Sequence, residues 1–118
     1  MQDPNAETFY TRLGTPEQPT FGLDTFGDVS LLQHSESHPE SIRQVVEEGV
    51  LADQVGVDYI GLGEHHRPDF SLSAPDVVLA AIAGRTERIR LGTGVTVPSS
   101  ADPTRVHQRF ATLDATPP

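Results

Sequence analysis

The segment Gly61 to Pro75, GLGEHHRPDFSLSAP, places Glu64, His65 and His66 where an apolar run gives way to a polar loop. Imidazole titrates near neutral pH, so a histidine held by a carboxylate or a carbonyl can act as a base or a hydrogen-bond donor. The pair also invites a metal reading, and in a chain without cysteine any ion would need His and carboxylate ligands. Neighbouring residues on a strand point to opposite faces, so His65 and His66 share an ion only if the backbone has already turned. No third ligand stands at helical spacing, and His34 and His38 fall in a separate polar stretch, HSESHPES. A metal site is therefore the weakest reading. A base or donor at the rim of a pocket competes with a plain pair of surface histidines, and residue types alone do not say which histidine matters.

A second candidate is Gly92-Thr93-Gly94. Glycine inside a strand is costly, and it marks a bulge, a close approach of ligand to backbone, or tight packing under a helix. Gly61-Leu62-Gly63 is not a dinucleotide fingerprint: the third glycine is absent, a proline follows, and the next helix opens about ten residues later.

The elements that must position these groups are legible from periodicity. Residues 20–26 read as a strand, and Pro39 opens a helix whose Ile42, Val45, Val46, Gly49, Val50 and Ala52 recur at helical steps until Gly56 stops it. Residues 57–63 form an apolar run that reads as a strand buried on both faces. Ser73, Pro75 and Asp76 predict the start of a second helix carrying Val78, Leu79, Ala81 and Ile82 and fading near Arg85. Residues 89–97 read as a third strand, and Asp102-Pro103 as cap and first turn of a helix with Val106, Phe110 and Leu113. Strand and helix alternate three times, which predicts a parallel sheet with all strand C-termini on one edge. Ligands of such folds bind along that edge, where Phe26, Glu64 to His66 and Val97 to Ser99 would sit. Residues 1–19 lack a period and read as a poorly ordered leader, leaving 20–118 as one unit.

Composition narrows the partners. With 17 Asp plus Glu against 8 Lys plus Arg, a net charge of -9 and no basic run, neither nucleic acid nor an anionic membrane surface is an expected partner. No stretch is apolar enough to span a bilayer, the first twenty residues hold no signal-peptide core, and the absence of cysteine fits a reducing cytoplasm. The length of 118 residues falls well below the roughly 250 of a complete eight-stranded barrel.

Four blocks in order resemble the luciferase-like flavin-dependent monooxygenases: GLDTFGDV, ADQVGVDYIGLGEHHRPDFSLSAP, GRTERIRLGTGVTV and DPTRVHQRFATLD. The resemblance implies an incomplete TIM-type (β/α)8 barrel of about three βα units. It implies a cavity at the strand C-termini for reduced FMN, or less commonly the deazaflavin F420, acting with oxygen on a small organic substrate. By position His65 matches the family's active-site histidine. Thr93, Gly94 and Val95 match the segment beside the isoalloxazine ring, where the Gly94–Val95 peptide is often cis, and Phe26, Glu64 and His66 would line the substrate pocket. The family continues past the third helix into a fourth strand, whereas FATLDATPP closes this sequence. About five βα units, with most of the flavin phosphate site, are therefore expected to be lacking. Unpaired strand edges predict self-association or pairing with a full-length relative. The competing function is a non-catalytic fragment that binds flavin weakly.

Overall fold

The structure, a computed structural model, describes residues 18–29 and 37–116. The expected leader lies outside these residues except for Gln18 and Pro19, as does His34. In chain order the elements are β1 (Gly22–Thr25), α1 (His38–Val55), β2 (Tyr59–Leu62), α2 (Pro75–Ala83), β3 (Arg90–Thr93) and α3 (Pro103–Ala115). The strands pair in parallel in the order β1-β2-β3, with Gly22, Tyr59 and Arg90 in one row and Thr25, Leu62 and Thr93 in another. Three βα units and a shared C-terminal edge are thus present as the alternation predicts.

The helix ends follow from local chemistry. Ser37 caps α1: its hydroxyl accepts from the Glu40 N–H, and the Glu40 carboxylate accepts from the Ser37 N–H at 2.8 Å. Gly56 ends the helix at φ +85°, a conformation that favours glycine, and its N–H reaches the Ala52 and Asp53 carbonyls. Asp102 caps α3 by accepting from the Arg105 N–H at 3.1 Å, with Pro103 in the first turn. The expected Ser73 to Asp76 start of α2 needs correction. Pro75 is the first helical residue, which moves the cap position to Ala74, and no side chain caps this end.

The core is the helix-facing side of the sheet. Ile60 and Leu62 of β2 pack with Val78, Leu79 and Ile82 of α2, Val45 and Ala52 of α1, and Leu72 and Ile89 from the connections. Burying each large aliphatic chain contributes about 1.5–3 kcal/mol. Gly49 lets α1 and α2 close: a Cβ there would lie 2.7 Å from Ile82 Cδ1. Along α3, Val106, Phe110 and Leu113 are only half-buried, so this helix sits at the margin of the core. The expected burial of β2 on both faces is met at Ile60, Gly61 and Leu62, while Tyr59 is half-buried.

The third strand is shorter than the expected 89–97. Its ladder ends at Thr93, although the Gly94 N–H still reaches the Leu62 carbonyl at 3.1 Å and the Glu64 N–H reaches the Val95 carbonyl at 3.1 Å. The entry to β3 is set by Asp53 at the end of α1, whose carboxylate accepts from the N–H groups of Glu87, Arg88 and Ile89 at 3.2, 2.9 and 2.8 Å. Among the described residues no helix is long and apolar enough to cross a membrane.

Candidate functional site

The C-terminal edge gathers Phe26 after β1, Glu64 to His66 after β2, and Gly94 to Ser100 after β3. Within it His65 is held in an aromatic box. Its ring stacks on Phe70 with centroids 4.3 Å apart and meets Phe26 edge-on at 5.5 Å, while Phe26 and Phe70 lie 5.8 Å apart. The His65 N–H is bonded to the Leu72 carbonyl at 2.9 Å. Phe26 lies over Gly63, where a Cβ would fall 2.1 Å from its ring.

The loop that carries the box is tied down along its length. Ser71 donates its N–H to the Gly27 carbonyl at 2.8 Å, and the Val29 N–H reaches the Asp69 carbonyl at 2.9 Å. Gly27 stands at φ +64° with the Ser71 hydroxyl 2.2 Å from where a Cβ would be, so the turn out of β1 requires glycine. Below it the Ser41 and Ser71 hydroxyls are 2.9 Å apart in a buried contact. His38 Nε2 lies 2.8 Å from the Pro68 carbonyl, and Arg67 grips Asp69 through two bonds of 3.0 and 2.8 Å.

The two histidines part company. His66 is half-exposed and turns to Glu64, with Nε2 2.7 Å from Oε1. Among the described residues no group of three or more His, Cys, Asp or Glu is placed to hold a metal ion. Glu64 faces inward: its carboxylate also accepts from the Val97 N–H at 2.8 Å and the Ser100 hydroxyl at 3.0 Å. Burial pushes this carboxyl upward, but the Val97, Ser100 and His66 donors outweigh it and hold Glu64 below the usual carboxylate range.

The glycines of β3 have separate explanations. A Cβ at Gly92 would lie 2.8 Å from the Tyr59 hydroxyl, so Gly92 makes room for a side chain crossing the inner face of the sheet. At Gly94 a Cβ would meet only the Asp24 carboxylate, at 3.2 Å or more, which leaves that backbone approachable. The Gly94–Val95 peptide is cis, and Val95 is 66% exposed. Thr93 alternates to the opposite face, and its hydroxyl lies 2.9 Å from that of Thr96. A ligand on the inner face would therefore meet Thr93 through its backbone.

Sequence reasoning missed three participants: Phe70, which stacks on His65, and Asp24 with Tyr59 on the inner face. The Tyr59 phenol is pushed above its ordinary value by burial and by the Asp24 carboxylate. The available signal was alternation, since Gly22 and Asp24, Tyr59 and Gly61, and Arg90 and Gly92 share one face once the register is known. A separate cavity of about 170 Å³ lies between the β3–α3 turn and the first turns of α2 and α3, bounded by Glu64, His66, Ser73, Asp76, Ser100 and Arg109. His65 does not line it.

Comparison with known proteins bears on the family and the fold. The sequence profile of the luciferase-like monooxygenases matches residues 20–116. The chain is 41% identical over 63 residues to a 4-hydroxyprotoasukamycin monooxygenase of Streptomyces nodosus subsp. asukaensis, which covers 52% of this chain and 17% of that protein. It is 33% identical over 96 residues to an F420-dependent glucose-6-phosphate dehydrogenase of Nocardia farcinica, covering 74% of this chain and 27% of the relative. The chain thus spans well under a third of the length of these two relatives. In fold it is similar to the oxygenating constituent of 3,6-diketocamphane monooxygenase from Pseudomonas putida, solved with FMN. That likeness has a TM-score of 0.69 and 21% identity, over 80% of this chain and 25% of that one. The three βα units are those of a TIM-type barrel, and the chain belongs to the luciferase-like monooxygenase family.

Proposed function

We propose that this chain supplies the His65 side of a flavin pocket in an oxidoreductase that uses reduced FMN and molecular oxygen on a small organic substrate. The observation that carries the proposal is the bond from the Glu64 N–H to the Val95 carbonyl at 3.1 Å. It sets the aromatic box around His65 directly beside the approachable Gly94–Val95 backbone.

These residues suit a flat ring system. Gly94 and exposed Val95 offer backbone and an apolar side chain, and the imidazole is held by the face of Phe70 and an edge-on contact with Phe26. The Gly94–Val95 segment would hold the ring, with Thr93 contributing backbone. Reduced flavin supplies two electrons to oxygen, and a deazaflavin, the second candidate, supplies a hydride. The protein's part is to orient, to keep water out, and to manage protons. Phe26 and Phe70 exclude water from one side of His65, whose ring nitrogens are the proton-handling atoms of the edge. In this proposal exposed His66 forms the rim on the substrate side, with Glu64 behind it.

The test is a fluorescence titration of the chain with FMN and, separately, with F420. Saturable binding that weakens when Gly94→Val crowds the backbone supports the proposal, whereas no saturable binding of either cofactor overturns it. In the oxidation reaction, His65→Asn should lower turnover by about 100-fold or more while leaving cofactor affinity within a few-fold.

A further inference from the structure

We infer that Glu64 is a positioning residue: its carboxylate sets the turn after β3, and with it the backbone beside His65, instead of contacting substrate. The inference rests on the flavin-pocket reading above and goes beyond it in the role of this one side chain.

The argument is one of hydrogen-bond capacity. The Glu64 side chain is only 9% exposed, and three protein groups converge on it. Oε2 accepts from the Val97 N–H at 2.8 Å, while Oε1 accepts from the Ser100 hydroxyl at 3.0 Å and faces His66 Nε2 at 2.7 Å. The backbone of the same residue donates to the Val95 carbonyl at 3.1 Å. Glu64 therefore grips the chain at residues 95, 97 and 100 from both its backbone and its side chain, and the Gly94–Val95 peptide lies at the start of that span. Within the turn, the Ser100 N–H reaches the Val97 carbonyl at 3.2 Å. The Ser100 hydroxyl is within reach of both that carbonyl and Glu64, and its single proton serves one of them at a time. Of these partners only the Val97 N–H is an obligate donor, because the Ser100 hydroxyl and the His66 ring nitrogen can also accept. An amide of the same shape could keep its oxygen on Val97 and turn its NH₂ group toward Ser100 and His66, so breaking the grip on Val97 requires removing the polar group altogether.

Two readouts on the intact chain test this, with Glu64→Ala as the main variant. In amide hydrogen exchange followed by NMR, the Val97 N–H should exchange at least about tenfold faster in Glu64→Ala. In FMN titration the same variant should bind about tenfold more weakly, with an altered visible absorption band of the bound flavin. Ser100→Ala, which keeps the carboxylate, should give a smaller shift in both and covers the case in which Glu64→Ala fails to fold. Val97 exchange unchanged in Glu64→Ala overturns the inference whatever the flavin result. Faster exchange with flavin affinity and spectrum unchanged also overturns it, because the turn would then not shape the site. Failure of the unaltered chain to bind flavin sinks the functional proposal instead, and the clamp is then decided by Val97 exchange alone.

Discussion

Asp53 and Glu64 apply the same device at opposite ends of β3. Each is a carboxylate with a side chain under a tenth exposed, 8% for Asp53 and 9% for Glu64, and each accepts from the chain next to that strand. Their donors differ. Asp53 takes three successive backbone N–H groups, from Glu87 to Ile89, at the edge where β3 begins. Glu64 takes one backbone N–H and two side chains, Ser100 and His66, at the edge where β3 ends. Backbone donors on a short loop leave little freedom, whereas a hydroxyl and an imidazole sit on side chains that can rotate. The contrast teaches that the entry to β3 is fastened by fixed backbone donors while its exit is held partly by side chains that can turn, which fits the proposal that ligand binds at the C-terminal edge.

The largest expected effect separates the two ends. Asp53→Ala strands three N–H groups near the core, so the thermal midpoint should fall by roughly 10 °C. Flavin affinity, measured where the variant remains folded, should stay within about twofold. If Asp53→Ala weakens flavin binding as much as Glu64→Ala does, the division between the edges is broken.

Acid sharpens the comparison further. The Ile89 and Arg88 N–H groups hold the Asp53 carboxyl below its ordinary value, and Glu64 is likewise lowered on balance. A group whose pKa is depressed in the folded state binds its proton more readily when unfolded. Its contribution to stability is complete above the usual carboxylate range and disappears as pH falls through the folded value. Denaturant midpoints from about pH 6 down to about pH 3 should therefore drop for the unaltered chain, and Asp53→Asn should flatten the slope. An unchanged slope in Asp53→Asn would remove the N-terminal half of the argument.

The smallest effect is a control between the edges. Arg85, just past the end of α2, pairs with Glu47 of α1, and the two side chains are 47% and 64% exposed. Arg85→Ala should move the thermal midpoint by less than about 3 °C and leave flavin binding alone, because exposed ion pairs are screened by water and salt.

How much of this was legible beforehand follows from range. Gly56, Asp102 and Pro103 announced their helix ends because caps act over three or four residues, and the apolar run through Ile60 and Leu62 announced a central strand. The Ser37 to Glu40 capping box was also local, yet it lay inside a polar stretch that reads as loop. Asp53 reaching Ile89, and Glu64 reaching Val97, join residues more than thirty positions apart, and no spacing rule encodes them. The stack of Phe70 on His65 depends on a loop path that has no period. Gly92 read as a possible ligand approach until the register set Tyr59 across it. The edge was therefore readable from alternation and resemblance, while the Glu64 contacts to residues 95, 97 and 100 join distant positions and were not.

The most direct test of the central claim, that the ligand edge is the one carrying His65, is a map of backbone amide shifts in the isotopically labelled chain as FMN is added. Saturable changes are expected at His65, Phe70, Gly94 and Val95, with Glu87 to Ile89 unmoved. Changes centred on Glu87 to Ile89, or saturable binding that leaves His65 and Gly94 untouched, would contradict it.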